Sequence, residues 1–348
     1  MLTNTDYGAG DIAGIKAVKV DDMQTSARYC KNNQFRWNGI IDKELNLREF
    51  IFENAGYCFL DFCIVGGQFS LRPGVPTDGN GFIRYNITRS QMEASGEIKG
   101  LFTDGNMKDL QVTFLTPEER RMFKATVMYR QDSRDGFPET KAITIAYKKE
   151  NQSNNDFLRA AEALPEEKFD MSGWCISEDH AKKFAAYALV TRRDVDHGIT
   201  FETTPISVLS LMAGDYIRVM TETTHTSRFK NGSVDADGNI VSRETISGSQ
   251  KIYYWTPGST NGVQYGQFSF AGNGKAPNTL RGTLFTVLDD TTEDRLYKIE
   301  SITHGEEGFI KIAASHVPFD ESGFMSVLRN TNPIDSDFNA RFPDVNKL

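Results

Sequence analysis

The sequence predicts a mainly β protein with a minor α component, an α+β fold. Its 348 residues contain nine Asn-Gly or Asp-Gly pairs, and such pairs favour the left-handed backbone that tight hairpins need. These pairs begin at Asn38, Asp78, Asn80, Asp104, Asp135, Asn231, Asp237, Asn261 and Asn273. Between them lie runs rich in β-branched and aromatic residues, such as 125–129, 199–203, 216–220 and 250–255, which are typical of strands. We therefore expect mostly antiparallel sheet with few helices.

The first predicted helix spans about residues 47–55. Asn46 can cap it, with Glu49 completing a capping box. Gly56 supplies a left-handed stop at its end. Its apolar face is formed by Leu47, Phe50 and Ile51. A helix with both ends signalled in this way should form in an otherwise β-rich chain.

A β-hairpin is predicted directly after this helix. Its strands cover 57–65 and 68–72, the two glycines between them form the turn, and a proline closes the second strand. We expect residues 26–115, which contain this helix and hairpin, to form a small α+β domain. The preceding residues 1–25 are interpreted as an N-terminal arm.

A second helix is predicted over about 178–192. Ser177 is its cap, and Arg192 and Arg193 lie favourably at its negative end. One apolar stripe is formed by Ala181, Phe184, Ala185, Ala188 and Leu189. A shorter helical turn capped by Thr116 should separate the small domain from the β-rich remainder.

The β-rich remainder is expected to cover 116–325, with an inserted hairpin region over about 226–280. Within that region, 228–247 is interpreted as an exposed hairpin that bends at the pairs beginning at Asn231 and Asp237. The other predicted segments are a polar linker at 151–155, a glycine- and asparagine-rich linker at 256–282 around an aromatic run at 265–270, and a C-terminal arm over 326–348.

Composition excludes several functional classes as defaults. The formal charge of −8, from 47 acidic and 39 basic residues, argues against nucleic-acid binding. No apolar run approaches the ~20 residues that a membrane-spanning helix needs, and no signal peptide is recognisable. Folding in a cytoplasm is therefore expected. The cysteines, which lack metal-type spacing, are predicted to be buried free thiols: Cys30, Cys58, Cys63 and Cys175.

No motif predicts catalytic, cofactor-binding or metal-binding residues. The Gly-Asn-Gly-Lys run at 272–275 lacks both ends of a Walker loop. Asp235, Asp237 and Asn239 have the alternate spacing of a calcium loop, but its glycine and its final glutamate are missing. The five histidines stand far apart and are expected to be solvated or singly hydrogen-bonded: His180, His197, His225, His304 and His316. Aromatic runs at strand spacing indicate core or subunit interface.

Five segments, in order, resemble the phage tail-tip or baseplate hub family, whose members include the lambda J-like central hub. The run LTNTDYGAG at 2–10 is similar to one that joins two hub domains. The segment 46–74 resembles a helix followed by a Gly-Gly hairpin, and 120–133 resembles a strand that crosses between domains. The segment 173–219 resembles a helix leading to an Ala-Gly-Asp turn into a barrel strand, and 296–317 resembles a closing hairpin with its turn at 304–308.

This resemblance implies a structural virion protein with antiparallel β-barrel hub domains, without cofactor or catalysis. Such hubs are homotrimers that close the distal end of the tail tube, contact tube or distal tail proteins and anchor fibre or receptor-binding components. It therefore implies a location at the phage tail tip or baseplate, assembly in the host cytoplasm, and indirect contact with the host cell surface. A separate chain, or a longer protein, is expected to supply the first hub domain.

Two other readings stay open at this stage. Acidic residues that are distant in sequence can meet in a glycosidase cleft, so a carbohydrate-active virion enzyme or receptor-binding depolymerase is the alternative. A non-viral β-rich binding module is the third. For a hub, the expected contacts with other subunits and with the tube are the hairpin 228–247 and the two terminal arms.

Overall fold

The fold is described here from a computed structural model. It describes residues 18–41, 46–65, 67–132, 138–147, 153–220, 230–242, 244–288 and 295–329. The motif at 2–10 and most of the predicted C-terminal arm lie outside these ranges. Within them, no helix has both the length and the apolar character needed to cross a bilayer.

The described elements are seven α-helices and sixteen strands, with most of the helices in the first two thirds of the chain. The helices are α1 (Val20–Asn32), α2 (Leu47–Ala55), α3 (Arg89–Ala94), α4 (Asn154–Glu162), α5 (Glu178–Asp194), α6 (Pro205–Val208) and α7 (Ser326–Arg329). The first strands are β1 (Leu60–Val65), β2 (Gln68–Pro73), β3 (Ile98–Thr103), β4 (Met107–Phe114), β5 (Lys124–Asp132), β6 (Pro138–Ile145), β7 (Glu166–Asp170) and β8 (His197–Thr203). The later strands are β9 (Tyr216–Met220), β10 (Lys230–Val234), β11 (Ile240–Ser242), β12 (Ser247–Trp255), β13 (Gln264–Ala271), β14 (Leu284–Leu288), β15 (Leu296–His304) and β16 (Ile310–Val317).

The chain forms two compact units that are discontinuous in sequence. The first unit consists of Met1–Ile87, Thr116–Asp196 and Phe319–Leu348, and the second of Thr88–Leu115 and His197–Pro318. Each unit draws residues from both of the predicted domains, 26–115 and 116–325. The predicted domain boundaries themselves stay a prediction.

In the first unit, helix α1 occupies residues that the sequence analysis assigned in part to an arm. The Ser26 hydroxyl donates to the carbonyl of Leu71 at 2.6 Å, and the Ser70 hydroxyl donates to the Asp22 carboxylate at 2.5 Å. These bonds fasten α1 to β2, so residues 20–25 lie in a helix, while the predicted arm stays a prediction. The helix was missed because Lys19, at its N-cap, offers no side-chain cap.

Helix α2 and the hairpin after it follow the prediction closely. The Asn46 side chain accepts a hydrogen bond from the Glu49 amide, and β1 pairs antiparallel with β2 from Leu60 opposite Pro73 to Val65 opposite Gln68. The predicted left-handed stop at Gly56 is wrong, because Gly56 keeps a right-handed φ of −59° and begins a 3₁₀ turn. Phe59, at φ 54°, is the left-handed residue, so β1 begins later than predicted.

Helix α5 packs on a three-stranded sheet with the order β6-β5-β7. Ser177 caps the helix by accepting from the His180 amide, as predicted. The predicted apolar stripe provides the contact, since Ala181, Ala185 and Leu189 are buried in one cluster with residues of β5. Strand β7 runs parallel to β5, so the expectation of antiparallel sheet holds only in part.

The structure also bears on three further segments of the first unit that the sequence analysis described. Thr116 accepts from the Glu119 amide at 3.3 Å, which confirms the capped turn. The predicted linker 151–155 is wrong at its end, because Ser153 caps α4 by accepting from the Asp156 amide. Residues 326–329, the first of the predicted C-terminal arm, form α7, and its Ser326, Val327 and Leu328 are buried; the arm itself stays a prediction.

The second unit contains a six-stranded sheet with the order β3-β9-β15-β16-β8-β4. Its two edge strands, β3 and β4, are consecutive in the chain and are joined only by residues 104–106. The sheet must therefore curl until these two strands approach each other at the turn that joins them. Asn106 secures this turn, because its side chain accepts from the Thr103 amide and its carbonyl accepts from the Thr203 hydroxyl on β8. Strand β3 runs parallel to β9. The result is a half-closed barrel rather than an all-antiparallel one.

A five-stranded sheet, β11-β10-β14-β12-β13, completes the second unit. The predicted bend at Asn231 is wrong, because Asn231 and its glycine lie inside β10, opposite Thr286 and Phe285 of β14. A Cβ on Gly232 would come within 2.7 Å of the Phe285 ring, so this glycine permits close packing rather than a turn. The bend at Asp237 is confirmed, since Gly238 adopts φ +82° between β10 and β11. Strand β13 lies within the predicted linker 256–282 and contains its aromatic run.

Candidate functional site

The described residues gather chemically active side chains into three clusters that the sequence analysis did not predict. We call them the thiol–histidine cluster (Cys30, Cys58 and His180), the arginine cluster (Glu93, Arg218 and Tyr253) and the histidine row (Phe114, His197, His316 and Tyr297). The first lies in the first unit and the other two lie in the second. The prediction of no catalytic, cofactor-binding or metal-binding residues is untested by these contacts and stays a prediction.

The thiol–histidine cluster combines a buried imidazole with two thiols. The Cys58 Sγ atom lies 3.9 Å from His180 Nε2, and that nitrogen lies 2.9 Å from the carbonyl oxygen of Tyr57. Burial lowers the pKa of His180 to about 4, because the protonated ring would lose its hydration. His180 is therefore a neutral side chain at physiological pH.

The two thiols of this cluster share a hydrogen bond that separates their acidities. The bond lowers the pKa of Cys30 and raises the pKa of Cys58, so Cys30 is the sulfur that ionises first. All four cysteines are free, which fits the prediction of free thiols. The prediction that they are buried is wrong for three of them, because only Cys175 is fully buried.

The arginine cluster holds a charged side chain out of water. Arg218 on β9 has a side chain with 0% exposure, and its Nη2 atom lies 2.6 Å from Glu93 Oε1 on α3. The Tyr253 hydroxyl on β12 donates to the same oxygen at 2.9 Å. The guanidinium lies 3.5 Å from the Tyr253 ring centroid, in a cation–π contact. This arrangement ties a helix and both sheets of the second unit together.

The histidine row crosses four neighbouring strands of the six-stranded sheet. Phe114 on β4 lies opposite His197 on β8, and Tyr297 on β15 lies opposite His316 on β16. Ser315 pairs with Gly198, so the next residues on those two strands, His316 and His197, also face each other. The row therefore follows from strand register, which places residues that are far apart in sequence on one face of the sheet.

The rings of the histidine row are in direct contact. His197 and His316 stack with centroids 4.4 Å apart and an interplanar angle of 24°. His197 Nε2 and the Tyr297 hydroxyl are 3.0 Å apart, and both residues are buried. The sequence analysis expected solvated or singly hydrogen-bonded histidines and did not predict this ring contact.

The motifs that the sequence analysis rejected form ordinary turns. The Asp235 carboxylate accepts hydrogen bonds from the amides of Asp237 and Asn239 and from the Asn239 side chain, which lowers the Asp235 pKa. These bonds hold the β10–β11 turn. Lys275 donates to the carbonyl of Asp237 at 3.3 Å. Both motifs therefore act in local structure.

Comparison with known proteins gives no family assignment. No protein-family model matches the sequence, and no curated protein matches it. Among solved structures, similar chains occur in the virion of a native gene transfer agent particle (TM-score 0.34, 12% identity, 70% of this chain and 36% of that chain). Another is the tail protein from Neisseria meningitidis MC58 (TM-score 0.33, 9% identity, 83% of this chain and 60% of that chain).

A third similar structure is the 43 kDa tail protein of prophage MuSo2 from Shewanella oneidensis (TM-score 0.29, 7% identity, 83% of this chain and 56% of that chain). This chain thus spans between 36% and 60% of the length of the three chains. All three are described as a virion or as tail proteins. Similarity at these TM-scores does not establish a shared fold.

Proposed function

We propose that this protein is a structural component of a phage tail, a hub subunit that assembles as a homotrimer at the tail tip or baseplate. In this role it closes the distal end of the tail tube and carries fibre or receptor-binding components. The main support is the order of the segments that resemble hub proteins, together with the elements that those segments form.

Three of those segments form the elements that the resemblance implies. The segment 46–74 forms a helix and a hairpin, and 296–317 forms the hairpin β15–β16 with its turn around Gly308 at φ +82°. In the third, Gly214 adopts φ +91° and the Asp215 carboxylate accepts from the Met212 amide at 2.9 Å immediately before β9. The last two contribute strands to the half-closed barrel, in line with the barrel domains that the resemblance implies.

The predicted contact segment 228–247 also supports assembly. Its strand β11 is an edge of the five-stranded sheet and pairs only with β10 among the described strands. On this edge the Val241 side chain is 61% exposed. An apolar side chain on an open sheet edge is a natural site for contact with another subunit, because unpaired edges otherwise promote indiscriminate association.

The oligomeric state of the full chain tests the proposal. Light scattering after size-exclusion chromatography should give a trimer, and Val241→Lys should shift the equilibrium towards monomer. Leu209→Lys is the matched control, because Leu209 is 77% exposed but lies in a turn rather than on a sheet edge. It should leave the trimer intact.

Activity measurements distinguish the proposal from its alternative. The trimer should release no reducing sugar from host surface polysaccharides. A monomer that hydrolyses them would contradict the hub function and support the carbohydrate-active alternative. If Leu209→Lys dissociates the trimer and Val241→Lys does not, the subunits contact each other through a different surface. The contact proposed for β11 is then wrong.

A further inference from the structure

We propose that Asn273 is a site of spontaneous covalent modification, at which the side-chain amide closes onto the Gly274 nitrogen and is lost as ammonia. The site lies in the second unit, in the turn of residues 272–275 that follows β13. It is independent of the proposed tail function, because it follows from the geometry of this turn alone.

The reaction needs only water besides the chain. The Gly274 amide nitrogen gives its proton to a base in the solvent and attacks Cγ of Asn273. A bond between Cγ and this nitrogen forms, the bond between Cγ and Nδ2 breaks, and Nδ2 takes up a proton and leaves as ammonia. Water then opens the cyclic imide at either carbonyl, which gives aspartate or isoaspartate. Asparagine is thermolabile in proteins through this chemistry.

Exposure separates Asn273 from the other asparagines that precede a glycine. The sequence has five Asn-Gly pairs, and all of them lie within the described residues. Only in the pair of Asn273 and Gly274 are both residues exposed. A Cβ at Gly274 would meet no atom within 4 Å, so the space beside the attacking nitrogen is open. The cyclic imide can therefore form in this turn without a steric obstacle.

The two reacting groups of this pair are also well placed. Among the described residues the Gly274 amide donates to no acceptor, so its nitrogen is available for attack. The Lys275 amide donates to Asn273 Oδ1 at 3.1 Å, which folds the side-chain amide back over Gly274. The same hydrogen bond stabilises the negative charge that develops on Oδ1 during the attack. The turn therefore supplies both proximity and a donor for the oxyanion.

Two other pairs lie near the surface but are restrained by hydrogen bonds. The Gly81 amide donates to the carbonyl of Asp78 at 2.9 Å, so the nitrogen that follows Asn80 is already engaged. The Asn38 amide donates to the carbonyl of Trp174 at 2.9 Å, and the Asn38 carbonyl accepts from an arginine side chain at 3.0 Å. These two bonds restrict the backbone rotation that would bring the next nitrogen to the side chain of Asn38.

The remaining two pairs are held by the packing of the second unit. Asn231 lies within β10, opposite Thr286 of β14. A Cβ on Gly262, which follows Asn261, would come within 2.6 Å of the Ile98 carbonyl oxygen, so this backbone has no room for a ring. Either segment must open locally before it can react. Asn273 should therefore be the first of the five asparagines to be converted in the folded protein.

Conversion to isoaspartate would disturb strand β11. The Gly274 carbonyl accepts from the Ile240 amide of β11 at 2.8 Å, and the Ala276 amide donates to the Gly238 carbonyl at 2.9 Å. Isoaspartate inserts a methylene group into the main chain immediately before Gly274, so both bonds cannot keep their lengths. The modification thus loosens the segment that lies along the outer edge of β11.

Peptide mapping by mass spectrometry of the full chain, aged at mildly alkaline pH, tests the site. Asn273 should be converted first, and Asn231 should react more than about tenfold more slowly, because β10 must open beforehand. The same chain aged in urea is the matched control, since unfolding removes the restraints and the five pairs should then react at similar rates. Hydrogen exchange at the Ile240 amide should be faster in the aged folded protein than in the fresh one.

The variant Asn273→Gln keeps an amide but lengthens the side chain, which disfavours ring closure. It should abolish the earliest conversion and leave hydrogen exchange at Ile240 unchanged on ageing. Earlier conversion of Asn38 or Asn80 in the folded protein would overturn the proposal. So would equal rates for Asn273 and Asn231, because the structure would then offer Asn273 no advantage.

Discussion

Removing the carboxylate of the arginine cluster should destabilise the protein far more than removing a carboxylate from a surface pair. In Glu93→Gln the Arg218 guanidinium, which is 0% exposed, loses its charged partner while keeping its own charge. Breaking a buried ion pair from one side costs about 3–5 kcal/mol, since the remaining charge stays buried and loses the attraction of its ion-pair partner. Glu93 is itself 23% exposed, so we expect a loss near the lower limit, about 3 kcal/mol.

Urea unfolding followed by tryptophan fluorescence measures this loss, because Trp255 is buried in the second unit. The matched control is Glu202→Gln, which breaks the Lys108–Glu202 pair between β4 and β8 of the same unit. Lys108 has a side chain with 39% exposure, so this variant should cost less than about 1 kcal/mol. Equal losses in the two variants would refute the argument that burial sets the cost.

A double variant separates charge from packing in the same cluster. Arg218→Met in the Glu93→Gln background removes the buried positive charge while keeping an unbranched apolar stem. It should be more stable than Glu93→Gln alone, because replacing both ionic partners by neutral groups is often nearly neutral. If it is less stable instead, the contact of the guanidinium with the Tyr253 ring contributes more than the ion pair does.

Three further predictions follow from the structure. Burial lowers the pKa of His180 from 6.5 to about 4, so its contribution to the free energy of unfolding is complete above pH 6.5. That contribution falls by about 2 kcal/mol by pH 5, because the unfolded chain then binds a proton that the folded protein does not. Urea unfolding of His180→Phe at the two pH values should not show this fall. Gly262→Ala should destabilise the folded protein more than Gly248→Ala does. Both glycines have a positive φ, but only a Cβ at position 262 would meet a carbonyl oxygen, that of Ile98 at 2.6 Å. Equal melting temperatures of the two variants would contradict this. Ser177→Ala should cost about 1 kcal/mol in urea unfolding by removing the cap of α5, and no change would mean that the cap is replaced.

Elements with local signals were predictable from the sequence. Asn46 and Ser177 each cap a helix at the expected residue, because a capping bond spans only three residues of chain. The β1–β2 hairpin was equally accessible, since its turn glycines and strands lie next to each other in the sequence. The β15–β16 hairpin was expected from the resemblance to hub proteins. The mainly β class followed from the same local patterns.

Glycine signals failed where tertiary packing determines the backbone. The Asn-Gly pair that begins at Asn231 was expected to form a bend, yet it lies within β10. The reason is the Phe285 ring on β14, which fills the space that a side chain at Gly232 would need. An Asn-Gly or Asp-Gly pair can therefore reflect two different requirements, a positive φ or the absence of a Cβ, and only the partner strand distinguishes them.

The clusters were beyond prediction for a related reason, since each depends on pairings between distant parts of the chain. Arg218 and Glu93 meet only after β9 has joined the six-stranded sheet beside β3. This pairing is parallel, so no tight turn in the sequence predicts it. His197 and His316 meet only in one register of β8 and β16. A shift of one residue would turn one ring to the opposite face of the sheet. The same register that buries the apolar residues of β8 thus creates the histidine pair, and a disturbance of that register should affect the core and this ring contact together.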